Sequence, residues 1–387
     1  MKIAAISTRV VNARMRNWVF VKVETDQGLV GWGEASLEWK TRAVLGCVED
    51  LAPLILGQDP RRIEHLYQTM YRHSFFRMGV IGMSALSGIE QACWDIFGKS
   101  LGVPVYQLLG GGVRDSIRMY DHLGGGEMNA LYLQDQPERM AERARESVAA
   151  GYSAIKALVV PVSEPLDGVA PIRRAEACMA AIREAVGDGV DIMVDLHGRT
   201  TPAMAIQYGQ ALAPYRLFFF EEPCPPENLS ALAEVARGLP GVPIATGERL
   251  VTRFQFRELF EQGACAVVQP DLCHCGGLWE ARKIAAMAET SYVSVAPHNP
   301  LGPIATAAAI QFGFATPNFL IQEAIRSDVP WRDEVVTTPI RVVDGHVSLP
   351  KGPGLGIEVD EVAAARHPFE QEVLMQPYHR DGAVADW

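Results

Sequence analysis

The sequence lacks long apolar runs, blocks of basic residues and low-complexity stretches. No apolar run reaches the ~18–20 residues that a membrane-spanning helix needs, so we expect no membrane contact. No cluster of Lys and Arg occurs, and the formal net charge of −11 makes nucleic acid and anionic membranes poor partners. Because 48% of the residues are hydrophobic, the chain has ample material for a large folded core.

Cys-x-x-Cys pairs are also missing. The 387 residues include seven cysteines, and none belongs to a Cys-x-x-Cys pair, which indicates reduced thiols in a cytoplasmic protein. The first residues, MKIAAISTRVV, contain too short an apolar segment for a secretory signal. Cys273 and Cys275 flank His274, but a two-residue spacing without a second cluster is a weak metal motif.

The N-terminal part of the chain changes its pattern once. Residues 1–35 alternate apolar and polar side chains around a turn at 26–28, which predicts an antiparallel sheet. Residues 41–110 place apolar side chains three and four positions apart, as helices do. A sheet followed by helices predicts an α+β module, to which we assign residues 1–115.

Short apolar segments alternate with longer amphipathic segments over residues 116–344. The short segments predict eight strands, at 117–123, 152–158, 192–197, 217–223, 243–248, 266–271, 293–298 and 319–324. Eight strand–helix units in about 210 residues predict an α/β fold, a closed (β/α)-barrel. Residues 345–387 begin with a hairpin-like stretch, GHVSLPKGPGLGIEVD, which we expect to pack against the N-terminal module.

Polar residues stand at the ends of six successive predicted strands. They are between 23 and 27 residues apart, about one strand–helix unit: Asp195, Glu221, Glu248, Asp271, His298 and Glu323. In a barrel the carboxyl ends of the strands form one ring, and this ring is where chemistry occurs.

Three of these residues predict a metal site. Asp195, Glu221 and Glu248 lie on neighbouring strands, and burying three converging carboxylates is costly unless a cation is present. Oxygen ligands alone favour Mg²⁺ over zinc or copper. The alternative is that single acids cap helices or pair with arginines, and Arg249 beside Glu248 is such a partner.

The remaining strand ends predict acid–base chemistry. Asp271 and His298 lie one unit apart, and a carboxylate beside an imidazole makes a candidate general base. Glu323 is either a hydrogen-bonding partner of a substrate oxygen or a support for the ring. His197 follows Asp195 by two positions, so on a strand it points to the same side and can give or take a proton. The alternatives are a core histidine at 298 and a backbone-bonding loop histidine at 197.

Several motifs resemble the enolase superfamily, in its mandelate racemase-like branch. They are GIEQACWDIFGK, GGVRD at 111–115, the DxH strand, EEP at 221–223, GER at 247–249, QPD at 269–271, APH at 296–298 and PGLGIEVD at 353–360. The resemblance covers nearly the whole chain. It implies a modified TIM (β/α)-barrel, here 116–344, with an α+β capping domain formed by 1–115 and by a returning C-terminal segment, 345–387.

The same resemblance implies roles for the residues at the strand ends. Asp195, Glu221 and Glu248 would bind Mg²⁺, His298 with Asp271 would be the base, and Glu323 would be the electrophilic glutamate. Many relatives end the second strand with a Lys-x-Lys pair, but here Lys156 is followed by Leu158 in the second position. This difference disfavours a two-base racemase or epimerase.

The histidine of DLHGR supplies a second group instead, which is similar to D-galactonate dehydratase-type sugar-acid dehydratases. This likeness implies a carbohydrate-acid hydro-lyase. His298 would remove the C2 proton of an aldonate, Mg²⁺ and Glu323 would stabilise the ene-diolate, and His197 would protonate the leaving C3 hydroxyl. The product would be a 2-keto-3-deoxy acid. We therefore expect a small sugar acid as the partner of a cytoplasmic homo-oligomer.

The far end of such a substrate would be recognised by the capping domain. Candidate residues lie on its two predicted loops: Arg14, Arg16, Trp18, Phe75, Phe76 and Arg77. The alternative for all six is ordinary surface and core packing.

Competing functions need different residues. A cycloisomerase or another non-dehydrating relative keeps the metal and the base without an acid at His197. A zinc hydrolase needs His-x-His on the first strand, where Tyr120-Asp121-His122 offers one histidine. A retaining glycosidase needs carboxylates on both sides of a sugar and no metal, yet strand seven ends in His298. A metal-binding barrel without activity has no use for the Asp271–His298 pair.

Overall fold

The N-terminal sheet and helices form the predicted α+β cap. The computed structural model describes residues 1–124, 136–326 and 328–386. Strands β1 (Ile3–Ala13), β2 (Arg16–Thr25) and β3 (Val30–Glu34) pair antiparallel in that order. Helices α1 (Thr41–Ile55), α2 (Ile63–His73), α3 (Gly79–Leu101) and α4 (Val105–Leu108) follow. Strands β2 and β3 both contact α3, so the core of the cap lies between its sheet and this helix.

Glycines allow α3 to lie directly on β3. A Cβ atom added to Gly33 would stand 1.9 Å from the carbonyl oxygen of Gly88, and one added to Gly31 would stand 2.1 Å from that of Ala92. Larger side chains at these positions would push the helix away from the sheet. The close contact fixes the position of α3, whose other side faces the barrel.

The eight predicted barrel strands are all present among the described residues. They are β4 (Ser116–His122), β5 (Ala154–Ala157), β6 (Asp191–Asp195), β7 (Phe220–Glu221), β8 (Ile244–Thr246), β9 (Val267–Val268), β10 (Ser294–Val295) and β11 (Gln322–Ala324). Each pairs in parallel with its neighbour in chain order, and β11 pairs with β4. An isolated parallel bridge between Val295 and Phe319 joins the two remaining edges and closes the ring.

Helices surround the ring and side chains fill it. The helices are α5 (Pro137–Ala149), α6 (Val169–Val186), α7 (Pro202–Leu212) with a 3-10 turn at Ala213–Tyr215, α8 (Leu229–Gly238), α9 (Thr252–Glu261), α10 (Gly277–Thr290) and α11 (Pro303–Ala315). Each strand segment contributes one residue to a buried cluster inside the ring: Tyr120, Ala154, Met193, Phe219, Ala245, Val267, Ala296 and Ile321. The interior is therefore packed, and only the rim at the carboxyl ends of the strands is open to chemistry.

The C-terminal segment returns to the cap, but not as the predicted hairpin. Strand β12 (His346–Ser348) pairs antiparallel with β4 of the barrel instead, with Val347 opposite Ile117. Beyond it, the backbone N–H of Leu355 donates to Asp95 on α3 over 2.8 Å. The short helix α12 (Glu361–Ala364) follows, and none of the described helices is long and apolar enough to cross a membrane.

Candidate active site

Three carboxylates converge on the rim of the barrel. Asp195 is the last residue of β6, and it lies opposite Glu221, the last residue of β7. Glu248 lies two residues beyond β8. One oxygen from each of the three lies within 4.8 Å of the others, and Asp195 and Glu221 are fully buried. The spacing of one strand–helix unit thus brings these residues together.

The three carboxylates suit a hard divalent cation. The buried oxygens Asp195 Oδ2, Glu221 Oε2 and Glu248 Oε2 receive no hydrogen bond from any residue that the structure describes. A buried polar atom without a partner costs about 1–3 kcal/mol, and more when it is charged. Arg249 does not relieve the cost at Glu248, because its Nη2 lies 2.6 Å from Glu222 Oε2 instead. An oxygen-preferring ion such as Mg²⁺ fits this donor set.

A buried lysine stands beside the same carboxylates. Nζ of Lys156 lies 2.9 Å from Glu221 Oε1, 2.7 Å from Glu323 Oε1 and 3.3 Å from Asp195 Oδ2. Burial acts to lower the pKa of Lys156, but the charges of Glu221 and Glu323 outweigh it and raise that pKa well above its ordinary value. Lys156 is therefore an ammonium that neutralises part of the cluster. The sequence predicted no role for it; the available signal was one lysine in the otherwise apolar strand AIKA.

The predicted base lies across the rim. His298 Nδ1 donates to Asp271 Oδ2 over 2.7 Å, and His298 Nε2 lies 3.4 Å from Glu248 Oε2. The backbone N–H of Cys273 donates to the other Asp271 oxygen over 2.6 Å. Burial acts to lower the pKa of His298, but the charge of Glu248 and the hydrogen bond to Asp271 raise it well above its usual value. Because Nδ1 of His298 is bonded to Asp271, Nε2 is the ring nitrogen that faces the cavity.

Glu323 is held as a carboxylate. The backbone N–H of Asn299 donates to its Oε2 over 2.7 Å, and Lys156 lies at its other oxygen. Burial acts to raise the pKa of Glu323, but the charges of Lys156 and His298 lower it to about 2. In this state Glu323 accepts hydrogen bonds, and it can donate one only after it takes up a proton.

His197 lies at the carboxylate cluster, but not for the reason that the sequence suggested. Strand β6 ends at Asp195, and His197 lies in the following turn with a φ of +50°. The backbone N–H of His197 donates to Asp195 Oδ1 over 3.0 Å, and its Nε2 lies 3.3 Å from Asp195 Oδ2. The turn, rather than strand alternation, brings the imidazole back over the rim.

A third histidine lines the same cavity, and the sequence analysis gave it no role in the reaction. His122 is the last residue of β4, and its Nδ1 accepts the backbone N–H of Gly124 over 3.0 Å. Burial and the charge of Lys156 lower the pKa of His122 to about 3, so the ring is neutral. Its proton then lies on Nε2, which has no hydrogen-bond partner among the described residues.

The cap closes this cavity with one of the predicted residues, Arg16, and with two others, Met15 and Glu38. The cavity measures about 50 Å³ and is lined by Met15, Arg16, Glu38, His122, Lys156, Asp195, His197, Glu248, His298, Pro300, Glu323 and Ile325. Arg16 Nη1 lies 2.9 Å from Glu38 Oε1 and donates to the carbonyl of Pro300. Of the six predicted cap residues, Arg16 is therefore the one that reaches the cavity.

The other predicted cap residues lie elsewhere. Trp18 is fully buried in the cap core, with its ring 6.2 Å from that of Phe20. Arg14 lies over the Trp331 ring at 5.6 Å, and Arg77 lies over the Tyr71 ring at 4.8 Å. None of the three lines the cavity: the tryptophan is held in the cap core, and each arginine lies over an aromatic ring outside the cavity. The remaining pair, Phe75 and Phe76, is 87% and 82% exposed.

Comparison with known proteins gives a consistent result. Residues 2–110 match the family model for the N-terminal domain of mandelate racemase / muconate lactonizing enzyme, and residues 139–363 match the enolase C-terminal domain-like model. The chain is 41% identical over 397 residues to D-galactonate dehydratase of Variovorax paradoxus and 40% identical over 395 residues to that of Ralstonia nicotianae. Both alignments cover 100% of each chain.

Solved structures agree in fold. A mandelate racemase/muconate lactonizing enzyme from Sulfitobacter matches with a TM-score of 0.89 and 39% identity, over 96% of each chain. An enolase from Agrobacterium radiobacter, with bound Na and L-malate, matches with a TM-score of 0.91 and 33% identity, over 100% of each chain.

Proposed function

Because the chain belongs to the mandelate racemase / muconate lactonizing enzyme family of the enolase superfamily, we propose that it removes water from a sugar acid, with D-galactonate as the first candidate. Its full-length relatives named D-galactonate dehydratase support a hydro-lyase of this class. One structural observation carries the proposal: two imidazoles, His298 and His197, flank the carboxylate cluster. Dehydration needs two such groups, one to remove a proton and one to protonate the leaving hydroxyl.

His298 is the proposed base for the C2 proton. Asp271 accepts the proton on Nδ1, which leaves Nε2 as the nitrogen for the substrate proton. A cation held by Glu248 would offset the charge that raises the pKa of His298, so that Nε2 would be free to accept that proton. The proton beside a carboxylate is weakly acidic, and its loss spreads negative charge over the carboxylate oxygens. The reaction therefore needs positive charge and hydrogen-bond donors that are in place before the proton moves.

The positive charge would come from a bound cation and from Lys156, and the hydrogen-bond donor from His122. Asp195, Glu221 and Glu248 would hold Mg²⁺, which would supply Lewis-acid stabilisation to the charge that develops on the substrate. Lys156 keeps the neighbouring carboxylates from repelling an anionic substrate. The neutral ring of His122 offers Nε2–H to a substrate oxygen.

His197 is the proposed acid for the C3 hydroxyl. Its Nε2 lies beside Asp195, so a proton on that nitrogen is held at the rim where the substrate must lie. When this proton passes to the hydroxyl, water leaves and an enol remains. The enol then tautomerises to a 2-keto-3-deoxy acid. Glu323, as an ionised group, orients a substrate hydroxyl by accepting its hydrogen bond.

A substrate panel tests the proposal. The purified protein is incubated with Mg²⁺ and separate aldonates and aldarates, including D-galactonate, and 2-keto acids are measured. We expect a 2-keto-3-deoxy acid from at least one aldonate and none from the His298→Asn variant. If no acid yields a keto product while C2 protons still exchange with solvent, the protein is a non-dehydrating relative, such as a cycloisomerase.

A further inference from the structure

Helix α3 of the cap holds the segment that follows β9. Four polar side chains on one side of the helix point at this segment, at 84, 87, 90 and 91. The backbone N–H of Gly276 donates to Ser87 Oγ over 3.0 Å, and Gln91 Nε2 donates to the carbonyl of Leu272 over 2.9 Å. Glu90 accepts the backbone N–H groups of residues 278 and 279, both over 2.9 Å. Asp271, which orients the proposed base, immediately precedes this segment.

The fourth side chain, Ser84, contacts His274. Ser84 Oγ lies 2.9 Å from His274 Nδ1 and 2.8 Å from the carbonyl oxygen of Val80, so its single hydrogen goes to one of these two acceptors. The opposite ring nitrogen of His274, Nε2, lies 3.5 Å from Asp271 Oδ2. That same carboxylate oxygen accepts the proton of His298 Nδ1 over 2.7 Å. His274 and Asp271 are both buried, so no water shell competes for this oxygen. A chain of contacts thus runs from the cap helix through Ser84, His274 and Asp271 to His298.

The Cys-His-Cys motif at 273–275 therefore contacts Asp271 and Ser84 rather than a metal ion. In the part of the chain that the structure describes, the single candidate metal cluster is the one at Asp195, Glu221 and Glu248. The ring of His274 points to a serine and to a carboxylate instead. Cys273 contributes its backbone N–H, which donates to Asp271 Oδ1.

We propose that His274 is a positioning residue: its Nε2, 3.5 Å from Asp271 Oδ2, presents a proton to this carboxylate and keeps it in the orientation that fixes His298. Without such a donor, the Asp271 carboxylate still accepts the Cys273 N–H on Oδ1, but its Oδ2 can change position. Because Oδ2 is bonded to His298 Nδ1, the imidazole of His298 would then turn with it, and its Nε2 would point in another direction. Ser84 contacts the opposite nitrogen of the His274 ring, so a residue of the cap helps to orient His298, which belongs to the barrel. The kinetic part of this inference rests on the proposed function.

The first test needs no substrate. Nitrogen-15 NMR of the nine histidines reports which ring nitrogens carry protons, and the His274→Gln variant identifies the His274 signals. We expect a proton on His274 Nε2 in the resting protein at neutral pH. If the ring carries its proton on Nδ1 alone, the lone pair of Nε2 would face a lone pair of Asp271 Oδ2, and the contact could not hold the carboxylate. This result would overturn the proposal. This measurement stands whether or not the protein dehydrates a sugar acid.

The second test uses three substitutions and D-galactonate with Mg²⁺, or the most active aldonate of the panel. His274→Leu removes the donor, and we expect kcat and C2 deuterium exchange to fall together by about 10- to 100-fold, with KM within about twofold, as for a misaimed catalytic group. His274→Gln keeps an N–H donor and is expected to recover most of that loss. Ser84→Ala removes only the far support, so a smaller fall in kcat is expected.

Ser87→Ala is the matched control. It removes a hydrogen bond to the same segment from the same helix, at Gly276 rather than at Asp271. We expect it to lower the melting temperature without a change in kcat. Equal losses of kcat in Ser87→Ala and His274→Leu would mean that the segment needs only to be folded, and unchanged kcat in His274→Leu would remove His274 from the base altogether.

Discussion

At the scale of single residues, the charges around the cavity determine which groups can move a proton. Lys156 lowers the pKa of Glu323, so this carboxylate is ionised and accepts hydrogen bonds. Burial, together with the charge of the same lysine, lowers the pKa of His122, so that ring is neutral and can donate. His298 and His197 remain as the groups whose ring nitrogens face the rim beside a carboxylate. The division of labour between two imidazoles is therefore a testable property of this cavity.

Substitution of each imidazole separates the two proton transfers. His298→Asn removes the C2 base, so we expect both keto-acid formation and solvent deuterium exchange at C2 to fall by at least about 100-fold. His197→Asn removes the acid, so dehydration should fall by a similar factor while some C2 exchange remains. Exchange is followed by proton NMR in D₂O. Normal dehydration by His197→Asn would assign the acid to another group, and continued exchange in His298→Asn would reveal another base.

At the scale of elements, the contact between β3 and α3 fixes the position from which α3 bonds the barrel segment that follows β9. Gly31 and Gly33 let the strand and the helix backbones approach, and Gly88 on α3 faces Val21 and Ala35 from the helix side. Because α3 also contacts the segment beyond β9, a shift of this helix would reach Asp271 through Ser84 and His274. Packing inside the cap is thus linked to the geometry of the rim.

Gly33→Ala tests this packing. The new Cβ would stand 1.9 Å from the carbonyl oxygen of Gly88, which cannot rotate away, so we expect a loss of about 3 kcal/mol or more in the free energy of unfolding. The measurement is urea unfolding followed by circular dichroism. Gly46→Ala on α1 is the control, because its Cβ would have no neighbour within 4 Å, and we expect it to stabilise by up to about 1 kcal/mol. Equal stability of the two variants would contradict the close approach.

The elements also show what the sequence could and could not predict. Alternation and helical spacing predict the cap sheet, the eight barrel strands and the residues at their ends, because both patterns depend on which face is buried. Local chain reversals are less predictable: the turn at His197 and the pairing of β12 with β4 follow from contacts made by distant parts of the chain. The roles of Lys156, His122 and His274 were not predicted, since these roles depend on neighbours from other elements of the fold.

At the scale of the whole molecule, two buried acids of the cap dock on the barrel. Glu34, at the end of β3, accepts the backbone N–H groups of Gly302 and Ala305 over 2.7 and 2.8 Å, at the start of α11. Glu90 accepts those at the start of α10. Burial raises the pKa of both acids, that of Glu90 to about 8, and the backbone N–H donors at the helix amino termini act against this rise because they favour the charged form. Helix α10 follows β9, after which Asp271 lies, and α11 follows β10, after which His298 lies. The cap therefore contacts the barrel on the side of the proposed base.

Metal binding should be visible in the stability of the whole molecule. If Mg²⁺ joins Asp195, Glu221 and Glu248, a concentration of 100 times its Kd stabilises the folded state by about 2.7 kcal/mol. We expect the melting temperature to rise with Mg²⁺ and to fall with a chelator, and activity to vanish and return in parallel. Asp195→Asn should lose the response, whereas Asp59→Asn, at a surface pair with Arg61, should keep it. Full activity in excess chelator would remove the metal from the reaction.

The return of the chain end to the cap has a consequence for synthesis on the ribosome. Arg9 and Lys22 of the first sheet pair with Glu361, Thr41 bonds Glu372, and Asp95 bonds Leu355. These partners are translated more than two hundred residues after the sheet. The N-terminal module therefore keeps part of its surface uncovered until residues 355–372 have been translated.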